Sequence, residues 1–337
     1  MGFLADITAN ESFEQTRASK GFQEIHQRLL RNANSIGNPI KTLQSQEPLF
    51  LTESLAYDEK HKQWFLGSIY ESRVVSLSQT GHTKTFTDKT GGLWSAMGMR
   101  VDAARNLLWV ASAATPQTKG IAPETRGTSG VFALDLTTGQ VKESWKLDGE
   151  HWFGDLALLA DGTVIVSDSL GSTLYQIKNL DASLEPFISH DDFISPQGLV
   201  PSADGKYLFL ADYSMGLYRI DLNTKNILRL TPSETFAPYG IDGLYAFEDS
   251  LIAIQNGTRP QRIIRTHLNE TNDAVLSYEI LAANHADFME PTLGQVVGSK
   301  FHFIANSGWP LFNAMPINED EIAKELSPPL IMHVDLD

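Results

Sequence analysis

The chain has 337 residues, no cysteine and a formal net charge of −15, from 41 acidic against 26 basic side chains. The missing cysteine excludes disulfides, thiolate metal sites and cysteine nucleophiles, and the negative charge opposes nucleic acid and anionic membrane surfaces while suiting a bound cation. Hydrophobic content is an ordinary 42% and no run reaches the roughly 18 apolar residues of a membrane span, so the expected partner is a small molecule, with no nucleic acid and no membrane.

No basic, apolar, small-residue signal pattern opens the sequence, and Met1-Gly2 followed by Asp6 misses the myristoylation pattern. As written the chain reads as cytoplasmic, or as periplasmic or secreted if a leader has been removed. Residues 11 to 33 place Phe13, Phe22, Ile25, Leu29 and Leu30 at mostly helical spacing, with Ser12 as a candidate N-cap. The spacing predicts one amphipathic helix laid on the outside or over one end of the domain, its apolar stripe packed. Gly37-Asn38-Pro39 ends it. The division expected is a helical extension over 1–39 and a single domain over 40–337.

From residue 50 onward the sequence repeats. A variable residue, a spacer and an apolar residue recur as Glu53-Ser54-Leu55, Met97-Gly98-Met99, Gly154-Asp155-Leu156, Gln197-Gly198-Leu199, Asp242-Gly243-Leu244 and Glu290-Pro291-Thr292, at intervals of 44, 57, 43, 45 and 48 residues. Each is followed by a short apolar run, such as Trp64 to Ser68 or Leu251 to Asn256, and then by an alternating one, such as Leu217 to Leu222. Turn signals such as Asp204-Gly205 separate them. This is the period of four-stranded blades, and six repeats predict an all-β, six-bladed β-propeller. The sixth repeat ends at its third strand, so residues 40 to 44 are expected to supply the missing outer strand and close the ring. Two insertions interrupt the pattern: Ala114 to Thr128 in blade two, a loop or lid, and Gly308 to Ser327 in blade six, with an acidic helical part over Asn318 to Leu326.

In a propeller the first strand of every blade lines the central channel, so the residues that open each repeat meet at one mouth. Glu53, Asp242 and Glu290 converge there with Gln197 and Asp155. Gathered like charges are relieved by a cation or by protonation, and an Asp/Glu/Gln set suits a hard cation such as calcium. Channel carboxylates that only bond amides and water remain the alternative. His151 and His285 precede two of these motifs and are candidate rim residues, as a base or in positioning substrate. Ser68, Ser112, Ser169 and Ser307 end second strands without a Gly-x-Ser-x-Gly elbow, and no Walker A or dinucleotide fingerprint occurs.

The segments TESLAYD with FLGSI, FGDLALLADGTVIVSDS, PQGLVPSADGKYLFLADY and GIDGLYAFEDSLIAIQNG together resemble the senescence marker protein/gluconolactonase family of regucalcin-like six-bladed propellers, over about residues 50 to 337. The resemblance implies a divalent cation, usually calcium, at the mouth and hydrolysis of a lactone or related ester. It assigns metal ligation to Glu53 and Asp242, with Gln197 and Asp155 where the family tends to carry Asn-Gly and Asn-Asp. Asp242 is then ligand and candidate base, and Glu53 the anchoring ligand. His151, Asn256 and Glu290 are the expected substrate contacts, with Asn306 a further candidate oxygen. Gly154 offers no side chain, so the alternative is a lapsed propeller that binds a small molecule or a protein at the same mouth.

Overall fold

The computed structural model describes residues 5–47, 50–313 and 316–337. Residues 1–4, which include the Met-Gly start, and two residues inside each of the segments 40–50 and 308–327 lie outside that description. Six four-stranded antiparallel sheets follow one another around a ring. Their innermost strands are Thr52–Asp58, Ser95–Asp102, Phe153–Leu158, Pro196–Pro201, Leu244–Phe247 and Gly294–Val297. The fold is the expected six-bladed propeller.

Period-two alternation sets the packing. The second strands, such as Leu107–Ala113 and Ser250–Gln255, are buried along their whole length, because each is sandwiched between its own sheet and the next blade. Large side chains fill the wedge between blades. Trp109 of blade two is fully buried, and its ring lies 5.6 Å from that of Trp145; each large apolar side chain so removed from water stabilises the fold by about 1.5–3 kcal/mol.

The ring closes as expected. Strand Ile40–Gln44 pairs with Leu330–Asp335, the third strand of blade six, and completes that sheet from the other end of the chain. A polar chain crosses the closure. The Oγ1 of Thr42 lies 2.8 Å from Nδ1 of His333 and 3.1 Å from Nδ1 of His302, and Nζ of Lys300 lies 2.9 Å from Nε2 of His333. With the lysine donating to Nε2, His333 donates from Nδ1 to Thr42, whose hydroxyl donates to His302.

The segment before the propeller differs from the expectation. Residues Glu11–Phe13 form a 3-10 turn capped by Asn10, and the helix α1 spans Lys20–Asn32 with Ser19, not Ser12, at its N-cap. The Ser19 side chain accepts from the Phe22 amide at 3.3 Å and so starts the helix later. Only Phe22 of α1 is buried, in contact with Phe13 at 5.8 Å between rings. The chain then fastens to blade five, where Ile36 bridges Ala283 and the Asn284 side chain donates to Ala33.

Candidate functional site

The inner strands of blades one to four share an irregularity at one end. Their pairing with the second strands skips between Thr52 and Ser54, Ala96 and Met99, Phe153 and Leu156, and Pro196 and Leu199. The skipped residues include Glu53, Met97, Gly154 with Asp155, and Gln197, the positions that open each repeat. A bulge leaves its extra residue out of the ladder and re-aims it. In blades five and six, Asp242 and Glu290 precede the inner strands altogether. The released backbone bonds sideways to the next blade instead. Gly198 N donates to Asp242 O at 2.8 Å, and Thr292 Oγ1 to Glu53 O at 3.0 Å. Gly198 permits this approach, since a Cβ there would stand 2.5 Å from the Leu244 nitrogen.

Four acids face one another across this mouth. Burial pushes Glu53 well above the usual carboxylate range, the charges of Asp242, Glu290 and Asp155 push the same way, and the indole N–H of Trp309, donated to Glu53 Oε2, pulls back. Asp242 is pushed up to about 7, by burial first and then by Glu290 and Asp155, against the Nδ2 of Asn256, which donates to Oδ2 at 2.7 Å. Burial also raises Glu290, opposed by Arg259. Burial raises Asp155 too, against the adjacent Arg100.

Arg100 divides these acids into two kinds. Its Nη2 donates to Asp155 Oδ2 at 2.9 Å, while Asp155 Oδ1 accepts from the Leu156 amide at 2.8 Å. Both oxygens of Asp155 are thus engaged. The guanidinium also lies 5.5 Å from the ring centre of Tyr245, and these two residues line a cavity of ≈ 210 Å³ together with Val101, Leu158 and Val296. Glu53 and Asp242 have no cationic partner within ion-pair distance among the described residues. Nor do three Asp, Glu or His side chains close on one point there.

Gln197 and Gly154 fit together. The Nε2 of Gln197 donates to Ser195 Oγ at 3.2 Å, and its Oε1 lies 3.0 Å from where a Cβ on Gly154 would stand. The longer amide of blade four therefore reaches over the bare position of blade three.

The other sequence candidates separate. Asn256 is central: it donates to Asp242 and to Pro291 O, and its Oδ1 accepts from the Tyr213 hydroxyl at 3.1 Å. Burial and the nearby acids push that hydroxyl up to about 12. Asn306 instead holds the exit of the blade-six insertion, accepting from the Leu330 amide at 2.6 Å. His151 lies on the rim of blade three, its Nδ1 2.6 Å from Asp168 Oδ2 and its ring edge-on to Tyr175. His285 pairs with Asp287 at 3.7 Å and packs on Phe288.

Both insertions rise over the mouth side of blade one. In blade six, helix α2 (Trp309–Phe312) brings Trp309 onto Glu53, and helix α3 (Glu319–Glu325) presents Glu319 to Lys119 and Tyr70, each of which donates to it. Lys119 belongs to the blade-two insertion, so the two excursions meet. Trp309, Arg100 and Tyr213 were missed in the sequence. Arg100 lies on the inner strand of blade two, but the skip between Ala96 and Met99 breaks the alternation that would have placed it; Trp309, inside an insertion, gave no periodic signal.

No protein-family model matches the chain, and no curated protein matches it. Solved structures do resemble it. A gluconolactonase from Xanthomonas campestris has a TM-score of 0.58 at 13% identity, covering 90% of this chain and 95% of its own. Virginiamycin B lyase from Staphylococcus aureus has a TM-score of 0.56 at 11% identity, covering 90% and 100%. An aldose sugar dehydrogenase from Streptomyces coelicolor, in its PQQ-bound form, has a TM-score of 0.58 at 12% identity, covering 90% and 98%. The likeness is one of fold. A gluconolactonase, a lyase and a sugar dehydrogenase share this architecture, so the fold by itself assigns no chemistry.

Proposed function

We propose that this chain is a hydrolase of small lactones or related esters, acting at the mouth that holds Glu53 and Asp242. The observation that carries the reading is the pair itself: two buried carboxyl groups that repel each other, with no cationic side chain paired to either among the described residues. Such a pair is relieved by protons or by a cation. All the side-chain donors nearby are oxygens, which suits a hard divalent cation, calcium by type. Glu53, Asp242 and the Gln197 amide oxygen would hold it, with water completing the set of about 6 to 8 oxygens. When bound, the cation would polarise the ester carbonyl and offset the acids' charge.

The chain's own residues supply the rest. Asp242, ionised when a cation is bound and oriented by Asn256, accepts a proton from the attacking water as general base. Tyr213 fixes Asn256, and Trp309 fixes Glu53. Asp155, already bonded to Arg100, contributes charge to the mouth in place of a ligand. Glu290 and His151, with Asn256 behind Asp242, are the residues assigned in this reading to a bound substrate's polar groups.

A second reading, a propeller that binds a small molecule without turning it over, is favoured by the bare Gly154 and by the engagement of both Asp155 oxygens. Turnover of a panel of γ- and δ-lactones, assayed with calcium and with chelator, decides between them. Calcium-dependent hydrolysis supports the enzyme. No turnover, together with melting that ignores calcium, leaves the binding propeller.

A further inference from the structure

Helix α1 is a short, charged helix whose apolar side is covered at Phe22 and left open at Ile25 and Leu30. Its residues Phe22, Ile25, Leu29 and Leu30 fall on one face, with His26 among them, while Lys20, Glu24, Arg28 and Arg31 fall on the opposite one. Ile25 is 53% and Leu30 49% exposed, and Phe13, Ile36 and Ile40 on the flanking segments are exposed too. Among the described residues these five are half of all large hydrophobic side chains left exposed, within residues 13 to 40. The helix is capped by Ser19 and carries a Lys20–Glu24 pair at 3.7 Å. Even so, a helix of 13 residues is at the margin of persistence in water without a surface to bury its stripe.

The local charge identifies the surface. Three basic side chains against one acidic make α1 positive in a chain whose net charge is −15. A positive polar face behind a partly uncovered apolar stripe is the pattern of a helix that lies in the plane of a membrane interface. We propose that α1 docks this protein onto an anionic lipid surface, with the exposed Ile25 and Leu30 and the half-buried Leu29 entering the headgroup boundary while Phe22 stays packed on Phe13. The attachment of Ile36 and Asn284 to the outer edge of blade five places the helix at the propeller's periphery. The acidic body can then stay in solution while the helix meets the lipid. The chain-wide charge, which opposed a membrane, is an average that this segment departs from.

The test is co-sedimentation of the full chain with vesicles of phosphatidylcholine alone and of phosphatidylcholine with phosphatidylglycerol, at low and physiological salt. The wild type is expected to bind the anionic vesicles, to bind neutral ones at least about tenfold more weakly, and to weaken with salt. The double variant Ile25→Glu, Leu30→Glu should lose anionic binding by about tenfold or more with its thermal melting unchanged, since neither side chain is part of the propeller core. Wild type that stays in the supernatant at low salt overturns the proposal. So does equal binding by the double variant. A concentration-dependent dimer that the double variant abolishes, without vesicle binding, also overturns it and assigns the stripe to a second copy.

Discussion

The amide oxygen of Gln197 lies 3.0 Å from the point where Gly154 would carry a Cβ. The two positions, one blade apart, share a single space, so they are expected to vary as a pair. Gly154→Ala should cost about 1–3 kcal/mol through overpacking, since its Cβ would also stand 2.7 Å from Ser169 Oγ. The double variant Gly154→Ala, Gln197→Ala should recover part of that loss. Chemical denaturation of the wild type, both single variants and the double variant checks it, and additive losses would refute the shared space.

The acids of the mouth give stability a pH slope with a definite sign. Asp242 is raised to about 7 in the fold, against an ordinary value of 3.8. Between those values the native state keeps a proton that the unfolded chain has released, so stability falls as pH rises from about 4 to about 7. Asp242→Asn should flatten the slope. If a cation binds, calcium should stabilise the wild type more as pH rises, because its ligands must first lose their protons, and Asp242→Asn and Glu53→Gln should each shrink that gain. Without metal the same variants should melt at or above the wild-type temperature. Melts with calcium and with chelator from pH 5 to 8 read both.

His302 acts in the opposite direction. Burial, then the neighbouring His333 and Lys300, lowers it to about 4, so the unfolded chain takes up the proton first as pH falls below about 6.5. Stability is lost between about 6.5 and 4. Asp335, 2.9 Å from Lys300, and the Trp64 ring, 5.0 Å from His302, are the other neighbours of this cluster. His302→Gln should reduce the acid sensitivity at some cost in stability at pH 8, read by the pH dependence of the urea midpoint.

Trp309→Phe keeps most of the ring and removes one N–H. A buried carboxyl group that loses its donor should cost about 1–3 kcal/mol, and the ionised form of Glu53 should suffer more than the neutral one. The loss is therefore expected to grow as pH rises through the titration of Glu53, which burial and the neighbouring acids hold well above the usual carboxylate range, read as urea midpoints over a pH series in chelator. An equal loss at every pH would assign Trp309 to packing alone.

The blades were legible because each repeat writes the same burial pattern, and the closing strand because blade six lacked an outer partner. Glu53, Gln197 and Asp242 could be placed at one mouth by register alone. The partners could not. Arg100 engages Asp155 across a blade boundary, and Trp309 reaches Glu53 from 256 residues away, through contacts that only the closed ring creates. Helix α1 begins well after the start that its periodicity suggested, and its stripe, expected to be packed, is buried at Phe22 alone; periodicity reports which face is apolar and is silent on what covers it.

The strand that seals the ring has a cost in time. Ile40–Gln44 leaves a ribosome well ahead of its partner Leu330–Asp335, with five whole blades synthesised between them. At about 5–20 residues per second, the interval between them is roughly a quarter of a minute to a minute. Throughout it the early strand has no sheet to join, and near its end five completed blades have no closing neighbour. Nascent chains stalled just short of residue 330 should therefore be protease-sensitive at both ends of the arc, and release of the last few residues should protect the N-terminal strand in a single step.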